Sequence, residues 1–554
     1  MSDPLSVSFA EGPRPERRVA INSGLLLAAF GFQAVVSIVV VGILARYLGQ
    51  AGLGRYGYVV SFIELFAAFV DLGLNRILTR EISRHKAEAD RFVSAALTVR
   101  LLLSVVVLAI LAVLAATSRD PQLWLATLIY FAAQVLWLLG DVYNGVFHGF
   151  QRMEYQFWTL GAHQVLWLVL TLGVVWLDLG LLAVFVARLV ANAAKLLWVW
   201  QISRRRFAAG SVMWGLAPAL ALAVVSLPVA LVRRRPWRAV LPELGQRLGP
   251  AWEDARLAWR MVVEAVPVGI SLLLRTYIWR AGVVLTVLWL GQAQGEQVNG
   301  VLYGPLRAVQ QLRIVPAAFA TAMLPVLSNR AVSRPEDFDT AFVKSIKLFF
   351  AISLIIALAA TFLADPLVRL LLGSRIDLAG AAQVLAVLGW VIVLYFPNWL
   401  YGVTLVALGK QRLETLGLAL GLVVGFAVAA WAIPALGAVG VAMAILAAEG
   451  AIFVVGTAAL WPHFRWRRTA PSLAKIALAC AAAGGVFLAG DAAWQRLVAA
   501  GGAPPSAALA VAELAVLGSL GVAAFVAGLF LLRAFDADEI EGIRAMLRLS
   551  RGHP

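Results

Sequence analysis

Two stretches of apolar sequence carry polar side chains at helical spacing. The first set recurs every three or four residues and forms one helix face: Ser61, Glu64, Ala68, Asp71 and Asn75. The second set forms another face: Tyr303, Arg307, Gln310 and Gln311. One face is acidic and the other is basic. Two interpretations remain open: the faces line a polar cavity, in which Glu64 or Asp71 could carry a coupling proton or cation, or they pair and lock one conformation.

Two further arginines precede the basic face within an apolar run. Arg275 and Arg280 are five residues apart, or about 140° around an ideal helix. Both can face one cavity only if the cavity is wide or the helix is locally broken. A charge exposed to hydrocarbon costs roughly 2.5–3.5 kcal/mol, so each of these side chains should face a cavity or a partner.

Other polar groups give weaker indications. Asp141 could serve in ion coupling or gating, or only end a helix near the membrane surface. Arg188 and Lys195 share a helix face and either point inward or extend to the cytoplasmic side. The five histidines are scattered without metal-ligand spacing, and the sequence has neither a P-loop nor a Gly-x-Ser-x-Gly elbow. We therefore expect no metal site, no cofactor, no catalytic residues and no enzyme activity.

The composition indicates which elements hold these groups. Of the 554 residues, 62% are hydrophobic and 14% are charged, and the mean hydropathy is +0.87. Soluble domains carry roughly 25% charged residues, so this chain has too little charge to cover several water-facing domains. A soluble enzyme and a nucleic-acid-binding domain are excluded, despite the formal net charge of +16. The composition predicts an all-α polytopic membrane protein.

Apolar runs long enough to cross a bilayer, roughly 20 residues, occur about fourteen times. We predict spans at 20–45, 55–77, 93–117, 122–147, 157–177, 180–202, 264–290, 298–327, 345–364, 379–408, 413–433, 437–461, 472–490 and 507–533. With both termini in the cytoplasm, 33 of the 46 Lys and Arg residues lie in cytoplasmic segments and six lie on the opposite side. This bias favours the assumed orientation.

The segment between the sixth and seventh spans does not fit a simple crossing. Residues 212–232 are apolar, but arginine clusters flank them on both sides. Because both flanks favour the same side of the membrane, we predict a re-entrant or interfacial segment. Residues 240–262 are predicted to form an amphipathic helix on the cytoplasmic surface.

Weak internal repeats divide the chain into two halves. LGQAGLGRYG at 48–57 matches LGQAQGEQVNGVLYG at 290–304, and GFQRME at 149–154 matches GKQRLE at 409–414. Each half holds six spans, so the repeat is parallel, as in paired-lobe transporters. The predicted domains are an N-terminal six-helix lobe, a cytoplasmic linker, a C-terminal six-helix lobe, and two extra helices with a cytoplasmic amphipathic tail, at 1–202, 203–260, 261–462 and 463–554.

The motifs carry a family resemblance. LGQAGLGRYG, followed one span later by DLGLNRILTREISR at 71–84, resembles the first-half signature of bacterial polysaccharide-biosynthesis flippases. These belong to the multidrug/oligosaccharidyl-lipid/polysaccharide (MOP) exporter superfamily. GFQRMEY at 149–155 and the seventh span, at 266–291, resemble the same family. Many relatives carry an Asp shortly after the second Arg of that span, where this chain has Ala281 and Gly282.

The resemblance implies a V-shaped bundle of two lobes. It also implies translocation of polyprenyl-pyrophosphate-linked oligosaccharide across the bacterial inner membrane by alternating access, for cell-surface polysaccharide biosynthesis. The implied partners are this lipid-linked glycan, the lipid bilayer, and the polymerase and glycosyltransferases of polysaccharide synthesis, without nucleic acid. Our hypothesis is that side chains of the cavity bind the pyrophosphate through bidentate hydrogen bonds: Arg275, Arg280, Tyr303, Arg307, Gln310 and Gln311.

Two alternatives stay open at this point. A cation-coupled multidrug exporter of the same superfamily would favour an acidic or aromatic cavity, which the arginines disfavour. A membrane-embedded glycosyltransferase or polymer ligase would need a sizeable outer loop, whereas the predicted outer loops are short and nearly free of acids.

Overall fold

The computed structural model is almost entirely helical over the part of the chain that it describes. That part comprises residues 15–116, 120–207, 209, 249–316, 335–501, 507–536 and 539. Its elements are helices without strands, so the predicted all-α class is confirmed. The segment 212–232 lies outside the described residues, as does most of the predicted amphipathic tail.

The helices follow one another with short connections. The N-lobe, as we use the term, contains α1 (Pro15–Asp71), α2 (Leu74–Arg84), α3 (Ala89–Ala116), α4 (Pro121–Gly149), α5 (Met153–Trp176) and α6 (Gly180–Phe207). The C-lobe contains α7 (Gly249–Leu290), α8 (Gln292–Gln311), α9 (Pro335–Phe362), α10 (Ala364–Leu372), α11 (Leu378–Ala407), α12 (Gln411–Leu436) and α13 (Ala438–Ala459). Two further helices, α14 (Trp466–Gly501) and α15 (Ala507–Leu531), pair with each other and pack on α9 and α10.

A glycine breaks α1 into two membrane crossings. At 57 residues, a straight α1 would be about 85 Å long, nearly three times the hydrocarbon thickness of roughly 30 Å. Gly49 interrupts it with φ 67° and ψ −174°, a backbone conformation that is open to glycine and unfavourable for residues with a Cβ. The chain turns back there, so α1 supplies both the first and the second predicted span.

Twelve helical segments of the described chain are long and apolar enough to cross a membrane. The difference from the predicted fourteen has two sources. The run 24–84 counts as one segment although Gly49 divides it. The eighth predicted span, 298–327, corresponds to α8, which ends at Gln311 and is too polar to qualify, while residues 317–327 lie outside the described chain.

The described part of the predicted helix at 240–262 is helical but not separate. Residues 249–262 begin α7, which continues without a break to Leu290. One face packs inward: Ala258, Met261 and Ala265 are buried in a core shared with α2, α3 and α4. The other face is exposed at Trp259 and Val263.

The two halves of the first repeat adopt the same backbone and contact each other. Gly291, the counterpart of Gly49, also has a positive φ, 81°. Beyond these turns α1 and α8 pack closely: a Cβ on Gly54 would lie 1.7 Å from the carbonyl oxygen of Glu296, and one on Gly300 would lie 2.1 Å from that of Gln50. Glycine therefore allows the lobes to meet backbone to backbone. We call this end of the bundle the outer end, and the opposite end the inner end.

Candidate functional site: a basic cluster between the lobes

The acidic and basic faces meet where the lobes contact each other. Glu64 on α1 lies between Arg280 on α7 and Arg307 on α8. Arg280 Nη2 is 2.5 Å from Glu64 Oε2, and Arg307 Nη1 is 3.9 Å from Glu64 Oε1. Measured along their helices at 1.5 Å per residue, Glu64 and Arg307 lie about 22–24 Å after the turns at Gly49 and Gly291, and Arg280 lies about 16 Å before the turn at Gly291. They therefore lie near the middle of a hydrocarbon core of roughly 30 Å.

The remaining residues of the basic face lie on the same seam. Gln310 Oε1 accepts a hydrogen bond from Arg307 Nη1 (3.5 Å), and Gln311 Nε2 donates to Ser37 Oγ of the N-lobe (3.4 Å). The buried ring of Tyr303 stands edge-on to Tyr56, with centroids 5.7 Å apart. Five of the six residues predicted to bind substrate are thus brought to the interface between the lobes.

A small cavity of about 40 Å³ opens beside Arg307. Its polar lining includes a second arginine, Arg188 on α6 of the N-lobe, and no acidic side chain among the described residues that form its wall. The other polar groups of the wall are Gln33, Ser37, Tyr56, Tyr130, Gln164 and Tyr303. This volume holds a few water molecules at most, so this cavity is too small for a pyrophosphate in this conformation.

Aromatic rings, and not a carboxylate, hold Arg188 in place. Its guanidinium carbon lies 5.0 Å from the ring centroid of Trp167 and 5.7 Å from that of Trp137. Cation–π contacts contribute about 0.5–2 kcal/mol and leave the N–H groups free to donate. Arg188 forms no ion pair with an acid of the described chain. Sequence reasoning gave it no site role; the signal was a basic residue on an inward-facing stripe of the sixth span.

Several donors in the cluster lack an acceptor within the described chain. Arg280 Nη1 and Gln310 Nε2 are buried without a hydrogen-bond partner, and both residues are more than nine-tenths buried. A buried donor without a partner costs about 1–3 kcal/mol. Two arginines share one carboxylate here and a third, Arg188, lies beside Arg307 in the cavity, so the cluster has an excess of positive charge and of hydrogen-bond donors.

Arg275 lies in a different place. One and a half turns before Arg280 on α7, its Nη2 is 3.9 Å from Glu414 Oε1 at the start of α12. Its guanidinium carbon lies 5.5 Å from the ring of Trp399 and 5.8 Å from that of Tyr395. All of these contacts are within the C-lobe. The structure therefore does not bring Arg275 together with Arg280 and Arg307.

Asp71 and Asp141, proposed from sequence for ion coupling, share one arginine inside the N-lobe. Arg100 on α3 is completely buried, and its Nη2 lies 2.5 Å from Asp71 Oδ1 and 3.9 Å from Asp141 Oδ2. Its Nη1 donates to the carbonyl oxygen of Leu138. Asn75 donates a further hydrogen bond to Asp141. Arg100 falls within the predicted span 93–117, but the sequence pattern does not indicate its partners.

Polar contacts between the lobes close the outer end. Arg55 of the N-lobe pairs with Asp120 and lies 3.8 Å from Glu296 of the C-lobe, and Gln292 donates to Asp120 (2.8 Å). Asp120 also caps α4 through the backbone N–H of Leu123. Burial tends to raise the pKa of Asp120, but these hydrogen bonds and Arg55 outweigh it and hold the pKa below the usual range.

The arrangement can bind an anion more readily than a metal ion. The described part of the chain contains no group of three or more His, Cys, Asp or Glu residues placed to hold a metal. Guanidinium groups bind phosphate oxygens through paired hydrogen bonds. A closed outer end and a basic cluster halfway across the membrane are features of a transporter that alternates between two faces.

Comparison with known structures shows that this fold is shared with transporters of the MOP superfamily. An inward-facing multidrug resistance MATE family transporter is 18% identical, with a TM-score of 0.58, covering 78% of this chain and 94% of its own. The lipid II flippase MurJ, in an inward closed conformation, is 11% identical with a TM-score of 0.58, covering 91% and 98%. A MOP superfamily transporter from Pyrococcus furiosus, described as having a binding pocket of reverse polarity, is 17% identical with a TM-score of 0.55, covering 82% and 96%.

Family models match both lobes. Residues 19–233 match the family described as polysaccharide biosynthesis protein, and residues 284–431 match the MatE family. No curated protein matches the chain. Each model covers less than half of the chain. They agree with the resemblance stated from sequence, and the fold is the one shared by multi-pass membrane transporters and flippases of the MOP superfamily.

Proposed function

We propose that the protein moves a polyprenyl-pyrophosphate-linked oligosaccharide across the bacterial inner membrane by alternating access, for the synthesis of cell-surface polysaccharide. The excess of arginine over carboxylate between the lobes carries this proposal. Arg280 and Arg307 share the single carboxylate of Glu64, and Arg188 lines a cavity beside Arg307 without a carboxylate in its described wall. The three arginines thus carry two positive charges more than this one acid balances. A pyrophosphate that links a lipid to a sugar carries two negative charges, so the cluster and the headgroup match in charge.

The position of the cluster supports translocation of a lipid headgroup. A pyrophosphate in hydrocarbon is as unfavourable as any other isolated charge, so a carrier must offer donors halfway across. Arg280 and Arg307 lie at that depth, while the polyprenyl tail could stay in the bilayer. Membrane potential would assist outward movement by about 2.3 kcal/mol per charge per 100 mV.

The orientation is also part of the proposal. Both termini are placed in the cytoplasm by the charge bias of the predicted loops. The contacts between Arg55, Asp120 and Gln292, and between Gln50 and Gln297, agree with the predicted topology, in which these segments share one side; the charge bias assigns that side to the outside. The conformation is then one that is closed towards the outside.

Reconstitution into liposomes tests the function. A fluorescent polyprenyl-pyrophosphate oligosaccharide is added, and its transfer between leaflets is followed with a membrane-impermeant quencher. We expect Arg280→Ala/Arg307→Ala to lower the rate about a hundredfold or more, because charge-assisted hydrogen bonds contribute about 1.5–3 kcal/mol each. Arg205→Ala, which removes an exposed arginine at the inner end of α6, is the matched control and should transport like the wild type.

Two results would refute the proposal. Wild-type vesicles that transfer no such lipid but accumulate organic cations would favour the cation-coupled multidrug exporter. Transfer that persists unchanged in the double variant would show that the arginines between the lobes do not carry the headgroup.

A further inference from the structure

Glu64 occupies the place where an anionic substrate would be expected. Its two carboxylate oxygens face two different guanidinium groups: Oε2 lies 2.5 Å from Arg280 and Oε1 lies 3.9 Å from Arg307. The carboxylate comes from α1 of the N-lobe, and both arginines come from the C-lobe. This ion pair therefore ties the lobes together halfway across the membrane.

A carboxylate and a phosphate use the same donors on arginine. Both present a pair of oxygens to the planar fork of the guanidinium group. An anion that binds Arg280 and Arg307 therefore competes with Glu64 for the same N–H groups. The contact is also partly accessible, since the side chains of Glu64 and Arg307 are 21% and 26% exposed.

We propose that Glu64 is an internal competitor of the substrate's pyrophosphate: it holds Arg280 and Arg307 when the site is empty, and the entering anion displaces it. This inference rests on the proposed function, in which those arginines receive the headgroup. Displacement of Glu64 breaks the ion pair between the lobes. Binding of the anion is therefore coupled to separation of the lobes. Arg188 stays available throughout, because tryptophan rings and not a carboxylate hold it.

The structure offers a matched carboxylate that lacks this role. Asp71 lies two turns further along the same helix and is paired with Arg100, 2.5 Å away. That pair joins α1 to α3 within the N-lobe and involves neither Arg280 nor Arg307. Removing the charge of Asp71 should leave anion binding between the lobes unchanged.

Binding of a short isoprenoid pyrophosphate tests the inference. Geranylgeranyl pyrophosphate is titrated into the full-length protein in detergent at fixed pH and salt, with wild type, Glu64→Gln, Glu64→Ala and Asp71→Asn compared. We expect both Glu64 variants to bind about five- to tenfold more tightly, the lower part of the usual range for coupled equilibria. Asp71→Asn should bind within about twofold of the wild type.

Each result decides between the claims. Equal or weaker binding by the Glu64 variants would overturn the competitor role. Loss of folded protein in both Glu64 variants, with Asp71→Asn folded, would also overturn it, because the pair would then be a structural requirement and not an exchangeable contact. If Arg280→Ala/Arg307→Ala binds as well as the wild type, the proposed function fails; if only the gain in the Glu64 variants is absent, the competitor role fails alone.

Discussion

Two carboxylates on one face of α1 have opposite surroundings. Glu64 is a single acid beside two arginines of the other lobe. Asp71 is one of two acids, with Asp141, that share Arg100 inside the N-lobe. The first cluster has an excess of positive charge and lies between the two lobes, which would move apart during transport. The second pairs its charges within one lobe.

This difference indicates which buried charges can take part in transport. A cluster whose charges are satisfied by its own lobe stabilises that lobe, and removing one member leaves the others unpaired. A cluster that lies between the lobes and has more hydrogen-bond donors than acceptors can bind an anion from outside the protein. Sequence spacing alone could not separate the two, because Glu64 and Asp71 share a helix face.

The largest expected effect concerns stability. Arg100→Ala should lower the free energy of unfolding by about 3 kcal/mol, the lower end for a broken buried pair, since it removes the arginine that pairs with Asp71, whose side chain is 33% exposed. Arg280→Ala should cost less, because Glu64 keeps Arg307 as a partner. Thermal unfolding in detergent measures both. If Arg100→Ala is as stable as the wild type, Arg100 does not stabilise the N-lobe through Asp71 and Asp141.

A smaller effect is expected for the N-lobe arginine of the cavity. Arg188→Ala should weaken binding of geranylgeranyl pyrophosphate about tenfold, because one charge-assisted hydrogen bond is lost. Arg188→Lys should recover part of it, since the charge returns but the planar fork does not. The matched control is Arg275→Ala, whose contacts lie within the C-lobe; stronger weakening by Arg275→Ala than by Arg188→Ala would contradict the assignment.

The smallest effect is expected at the outer end, where water screens the charges. The pKa of Asp120 is lowered, so its contribution to closure is present at neutral pH and is lost only as the pH falls through that lowered pKa. Acidifying from pH 7 to pH 5 should therefore leave closure unchanged, whereas Asp120→Asn at pH 7 should increase outer-end opening about twofold. Labelling of Gln50→Cys by an impermeant maleimide, with Cys480→Ala as background, measures this. Increased labelling at pH 5 of protein that retains Asp120 would contradict this expectation.

The sequence predicted much of this site. The acidic and basic faces, the turn sequences around Gly49 and Gly291, and most of the spans follow from periodicity and hydropathy. The predicted binding set included both Arg275 and Arg280, although they are about 140° apart on an ideal helix; Arg275 instead contacts Glu414 within the C-lobe. Arg188 and Arg100 were missed as site residues because their partners, Trp137, Trp167 and Asp71, lie on other helices. Helical spacing shows which residues share a helix face, but it does not show which other helix packs against that face.

The position of a bound isoprenoid pyrophosphate decides whether the anion and Glu64 use the same arginines. We predict that an experimental structure with this ligand places its phosphates within hydrogen-bond distance of Arg307 and of Arg280 or Arg188, with Glu64 no longer paired to Arg280. Phosphates bound beside Arg275 or outside the lobes, with the ion pair between Glu64 and Arg280 intact, would contradict the account.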